Sequence, residues 1–139
     1  MILLDTSGLF AALAGNQRAH TAAKEALARA EPPLILSPFV LAELDYFLAR
    51  EAGVGPEFAF LREVASGAYD LVPFLGDDMA AAANVVADYA DLGIGLADAS
   101  LVVLAGRFDT NRVLTLDERH FRVLRTPGGQ PFTLLPADM

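Results

Sequence analysis

Two short apolar runs in this chain each stop on an aspartate. Met1-Ile2-Leu3-Leu4 ends at Asp5, and Val113-Leu114-Thr115-Leu116 ends at Asp117. Runs this short, bounded by polar residues, have the length of buried strands rather than of helices. An acid that closes such a strand has to sit at the edge of the sheet, because burying an unpaired charge deeper is expensive. Two further acids stand against apolar sequence. Glu43 interrupts Ser37-Pro38-Phe39-Val40-Leu41-Ala42-Glu43-Leu44, and Asp98 lies in Gly95-Leu96-Ala97-Asp98-Ala99-Ser100-Leu101, at the mouth of another apolar run.

The rest of the pattern alternates strand and helix. Strands are expected at 2–4, 34–36, 70–74, 112–115 and 132–135. Helices are expected at 7–14, 17–30, 38–52, 56–67, 77–91 and 96–106, with a short one near 117–122. Pro32-Pro33 stops the second helix, Gly53 and Gly55 separate two later ones, and Gly93 and Gly95 flank a tight turn. The alternation gives an α/β fold: a mostly parallel five-stranded sheet with helices on both faces. There is no repeat or linker, so residues 1–139 read as a single domain. In open sheets of this kind, ligands bind beyond the carboxyl ends of the strands, where the strand order reverses. If the first and fourth strands adjoin there, Asp5 and Asp117 face one crevice.

Acids that converge in space repel one another unless a proton or a cation joins them. Oxygen ligands suit hard divalent ions, so Mg²⁺ or Mn²⁺ is the natural occupant, and the chemistry indicated is metal-dependent phosphodiester hydrolysis. Each acid also has a plainer explanation. Asp5-Thr6-Ser7-Gly8 is a good helix N-cap sequence. Asp98 suits a helix first turn, and Asp117 can cap the short helix that follows it. Glu43 is harder to explain away. Its helical neighbours Phe39, Val40, Tyr46 and Phe47 are apolar, so it is expected to be partly buried and to need a partner. Thr6, Ser7 and Thr115 are candidate supporting hydroxyls. Asp45, on another helix face, and Glu118 read as solvated acids. His20 and His120 are too isolated to be read as zinc ligands, and a surface or hydrogen-bonded structural role is expected for both.

Composition sets the outer bounds. There is no cysteine, which excludes disulfides, thiolate metal sites and cysteine nucleophiles. No apolar run is long enough to span a bilayer, and the N-terminus shows no basic segment of a signal peptide, so no membrane role and a cytoplasmic location are expected. The net charge of −8 opposes generic nucleic-acid binding. The arginines are unevenly spread, however: Arg107, Arg112, Arg119, Arg122 and Arg125 fall in one stretch and could hold phosphates.

Taken in order, Leu3-Leu4-Asp5-Thr6-Ser7, Ala42-Glu43-Leu44, Leu96-Ala97-Asp98-Ala99-Ser100-Leu101 and Leu114-Thr115-Leu116-Asp117-Glu118-Arg119-His120-Phe121 resemble the PIN domain. The resemblance is to the toxin nucleases of VapBC type toxin–antitoxin modules, and it spans essentially the whole chain. It implies a PIN-like three-layer α/β/α sandwich with Asp5, Glu43, Asp98 and Asp117 as the acidic site. Asp5, Asp98 and Asp117 would hold the metal. It further implies Mg²⁺- or Mn²⁺-dependent RNA cleavage, a homodimer, and inhibition by a cognate VapB-like antitoxin. The substrate expected is a structured RNA, tRNA or ribosomal RNA, cut at a single-stranded loop. The helices around Phe39, Phe47, Phe58 and Phe60 offer apolar surface for the dimer and antitoxin.

Two rivals remain at this point. A phosphatase with an aspartyl nucleophile fits Asp5-Thr6 after an apolar strand, but it usually wants a second acid where Ser7 stands, and the only lysine is Lys24. A catalytically dead interaction module would have no need of all four acids.

Overall fold

The structure is a computed structural model that describes residues 1–139. β1 (Ile2–Leu4) is the central strand of a five-stranded sheet, between β2 (Leu34–Leu36) and β4 (Arg112–Leu114). β3 (Asp70–Leu71) and β5 (Thr133–Leu135) form the two edges. Every pairing is parallel, not merely most of them. Ile2, Leu3 and Leu4 are fully buried, which is why this strand carries no alternation of polar and apolar residues. The chain builds outward from β1 through β2 to β3, then returns to the other side for β4 and β5. The order therefore reverses between β1 and β4.

Helices cover both faces of the sheet and make a three-layer α/β/α sandwich. They are α1 (Thr6–Leu13), α2 (His20–Arg29), α3 (Pro38–Ala52), α4 (Val54–Ala65), α5 (Gly76–Asp88), α6 (Leu96–Phe108) and the single turn α7 (Glu118–Phe121). Along α6, every residue from Ala99 to Ala105 is buried. A helix apolar all round belongs in the interior. Its start is tied to the start of α3. Ser37 caps α3 by accepting from the Phe39 amide at 3.2 Å, with Pro38 at the first helical position. The buried Ser37 hydroxyl also meets Ser100 Oγ at 2.7 Å, and Ser100 Oγ reaches the Ala97 carbonyl at 2.6 Å. This pair fixes the helix that carries Glu43 against the helix that carries Asp98.

Several element ends differ from the sequence expectation. The third strand stops at Leu71, because Pro73 has no amide to continue a ladder. The helix expected from 17 begins only at His20, whose Nδ1 lies 2.8 Å from the Ala11 carbonyl. The helix expected to reach 91 ends at Asp88, with a 3₁₀ turn at Ala90–Leu92 before Gly93 at φ 70°. α6 instead runs on to Phe108 and closes at Asp109, which takes the left-handed conformation.

Gly8 sets how closely α1 approaches the sheet. A Cβ there would lie 2.4 Å from the Leu114 carbonyl oxygen and 2.7 Å from the Thr115 amide nitrogen. Both are backbone atoms and neither can swing away. Gly8→Ala should therefore push α1 off the end of β4, at a cost of roughly 1–3 kcal/mol in denaturant unfolding. Gly55→Ala, where nothing lies within 4 Å, is the control and should cause no comparable loss.

Candidate metal centre and active site

β1 and β4 pair in register, Leu4 opposite Leu114, so the residues that follow them emerge side by side. The first of these is Asp5, whose amide donates to the Leu114 carbonyl at 3.0 Å. The Asp5 carboxylate is buried, and its Oδ2 accepts from Thr115 Oγ1 at 2.7 Å and from Ser7 Oγ at 2.8 Å. Ser7 Oγ and Thr115 Oγ1 are themselves 3.2 Å apart. Ser7 accepts from the Leu116 amide and Thr115 from the Asp117 amide, at 3.0 and 2.9 Å. The hydroxyls thus tie Asp5 to the backbone that leads into Asp117.

Asp117 then caps α7 by accepting from the His120 amide at 3.0 Å. That single turn brings the His120 ring back over the acids. Its Nδ1 is 2.9 Å from Asp117 Oδ2 and 3.0 Å from Asp98 Oδ2. His120 is hydrogen-bonded, as expected, but it is not isolated: its partners are two of the candidate acids. Its position three residues after Asp117, one helical turn on, was the available signal. Asp98, Asp117 and His120 each offer a ligand atom, and these atoms lie within 4.8 Å of one another.

Asp5, Glu43, Asp98 and Asp117 all line one cavity of about 470 Å³, together with Thr6, Ser7 and His120. Glu43 differs from its expectation. It is exposed at the cavity rim, because Leu44 and Leu48 rather than Glu43 form the buried stripe of α3. Asp45 differs in the opposite sense. It is half-buried with Oδ1 lacking a hydrogen-bond partner, and contact with it pushes the Glu57 carboxyl up. None of the sequence-selected arginines lines the cavity. Arg112 opens β4 at its amino end, away from the acids. Arg107 is bound to the Pro73 carbonyl at 2.7 Å and to Asp78 at 3.2 Å. Arg122 is held by Asp138 at 2.7 and 2.9 Å and by Glu118, which is exposed as expected. Arg119 is exposed. The arginine that does line the cavity is Arg50 of α3, two helical turns beyond Glu43.

The acids are under electrostatic tension. Burial raises Asp5 above the usual carboxylate range, against the pull of its hydroxyl donors, and Asp117 adds to the rise. Burial lifts Asp98 to about 6, helped by the Asp5 charge and opposed by His120. A site built this way is completed by positive charge. The donor set is rich in carboxylate oxygen with one imidazole, and the Thr6 hydroxyl beside it is buried without a partner. These residues fit a hard or borderline divalent cation.

The tension has a pH signature in the metal-free protein. Asp98 titrates near 6 when folded, against an ordinary value of 3.8. Between those values the folded state binds more protons than the unfolded chain, so stability falls as pH rises and stays reduced above about 6. Asp98→Asn should therefore melt higher than the parent at about pH 7 without metal. The difference should shrink as the pH is lowered through about 6, as followed by thermal melts across pH.

Comparison with known proteins agrees with this geometry. The PIN domain family profile matches residues 2–125. Ribonuclease VapC26 of Mycobacterium tuberculosis (strain ATCC 25618 / H37Rv) is 44% identical over 135 residues, covering 97% of this chain and all of that protein. The crystal structure of Mycobacterium tuberculosis VapC20, titled a Sarcin-Ricin loop cleaving toxin, superposes with a TM-score of 0.78. It covers 84% of this chain and 90% of its own at 20% identity, a likeness of fold. The acidic cavity at the strand-order reversal, the family profile and the near full-length relative agree: the chain belongs to the PIN domain family, among the VapC ribonucleases.

Proposed function

We propose that this protein is a metal-dependent endoribonuclease, the toxin of a type II toxin–antitoxin module, that hydrolyses phosphodiester bonds in structured RNA and so inhibits translation. The observation that carries the reading is the set of four carboxylates lining one cavity at the β1–β4 reversal, two of them raised by burial and mutual repulsion. In the catalytic roles we place Asp5, Asp98 and Asp117 as holders of Mg²⁺ or Mn²⁺, with Glu43 facing them from the rim. A hard divalent cation held there would lower the pKa of a water and offset the charge that builds on the phosphate.

The chain's own residues do the rest. Thr115 and Ser7 hold the Asp5 carboxylate in one orientation through paired hydroxyl bonds. His120 sits against Asp98 and Asp117 and sets the spacing of the two acids. Glu43, exposed on a helix fixed to α6 through Ser37 and Ser100, is free to orient a water or accept its proton.

The partners follow from the same family placement: an RNA substrate and a VapB-like antitoxin. No helix is long and apolar enough to cross a membrane, and we place the protein in the cytoplasm with its RNA. A homodimer and an antitoxin groove draw support from the α3–α4 face, where Tyr46, Val54, Phe58 and Leu61 are exposed. Of the phenylalanines read as surplus, only Phe58 is exposed. Phe60 is in the core, and Phe39 and Phe47 are half-buried. A single-stranded loop of tRNA or ribosomal RNA is the favoured target, because a loop allows the backbone to splay around one phosphate.

Cleavage-site mapping on total cellular RNA tests the activity. Discrete cuts should appear with Mg²⁺ or Mn²⁺ and vanish with chelator or with Asp5→Asn; cuts that survive Asp5→Asn refute the site. Metal should also stabilise the parent, by about 2.7 kcal/mol at a hundred-fold excess over Kd. An unchanged melting temperature at saturating metal argues against the centre. Of the basic stretch, Arg119 is exposed, whereas Arg122 is occupied by Asp138 and Glu118. Arg119→Ala should therefore make the salt dependence of RNA binding shallower by about one phosphate contact. An unchanged slope would place the RNA path elsewhere.

A further inference from the structure

The cavity has a second wall that the hydrolytic residues do not use. Glu43, Phe47 and Arg50 follow one another at helical spacing on α3, and all three line the cavity. Phe47 packs on Phe10 of α1 with ring centroids 6.3 Å apart, and edge-on against Tyr46 at 5.8 Å. The Arg50 guanidinium carbon lies 5.3 Å from the centroids of both Tyr46 and Phe47, while its Nε donates to Glu51 at 2.9 Å. Phe47 is half-buried, yet it is not among the residues that pack on the main hydrophobic core, and Tyr46 is 59% exposed. Arg50 is the sole Lys or Arg lining the cavity, among five acids.

We propose that Phe47 and Arg50 form a stacking subsite for an unpaired nucleobase adjacent to the phosphate that the acids engage. The inference rests on the nuclease reading above and deepens it. Aromatic rings and guanidinium planes are the usual platforms for splayed bases, and they tolerate any base because every base has a π-face. Arg50 stays charged while it stacks, so it can meet an adjoining phosphate in a cavity otherwise dominated by carboxylates. A base inside a duplex is already stacked on both sides and cannot enter. The subsite thus selects loops over paired RNA by shape, without a sequence-reading hydrogen bond.

The test uses hairpin oligoribonucleotides with 2-aminopurine at each loop position in turn, bound with Ca²⁺ in place of Mg²⁺. One position should be quenched on the parent, and the quench should be lost with Phe47→Leu and with Arg50→Gln. With Mg²⁺, an abasic site at that position should raise KM about ten-fold for the parent. It should change little further for Phe47→Leu, because that variant has already lost the stacking partner. Should Phe47→Leu melt at a markedly lower temperature, Arg50→Gln on the surface carries the same comparison. The subsite is overturned if no loop position is quenched, or if the abasic substitution costs parent and variants equally. Quenching without cleavage of any RNA refutes the nuclease reading and leaves the subsite. Cleavage without the coupling refutes the subsite alone.

Discussion

The parallel pairing of β1 with β4 is the constraint on which the site depends. It sets Leu4 opposite Leu114, and the next residues of each strand continue that alignment past the end of the ladder. Asp5 and Thr115 are 110 positions apart in sequence and 2.7 Å apart in space. The approach requires glycine at position 8, since any side chain there would strike the β4 backbone. The site is thus a product of sheet topology first and of side-chain chemistry second.

That placement works against stability. Carboxylates gathered under partial burial repel and are poorly solvated, and the folded protein retains them at a cost until positive charge arrives. The hydroxyls of Ser7 and Thr115 and the ring of His120 relieve part of the strain without removing it. Binding and folding are coupled for this reason: whatever neutralises the cavity also stabilises the fold.

The sheet and its order of elements were legible because burial on both faces leaves short unbroken apolar runs, each closed by a polar residue. The convergence of Asp5 with Asp117 was legible for the same reason, since strand ends in a parallel sheet share one edge. Helix ends were less so. Where α2 starts depends on a ring nitrogen of His20 meeting Ala11, a tertiary contact that leaves no local pattern. Glu43 is exposed although its neighbours at helical spacing are apolar, because those neighbours do not all face the core. Phe47 and Tyr46 instead line a rim and a surface. His120 escaped because a lone histidine carries no motif, although its one-turn offset from Asp117 was visible. Density of arginine along the chain says nothing about direction. Arg107, Arg112 and Arg122 leave in different directions, and two of them end in ion pairs.

The acidic net charge need not oppose an RNA substrate once charge is resolved in space. Steering depends on the potential at the cavity mouth, and the total of −8 includes acids far from it. Arg50 lines the cavity as an exposed side chain, its guanidinium 5.3 Å from each of two ring centroids and its Nε hydrogen-bonded to Glu51 at 2.9 Å. The carboxylates behind it stop opposing a phosphate when a divalent ion sits among them. On the proposed reading it is the ion on the floor, more than the total of −8, that decides whether a polyanion can approach.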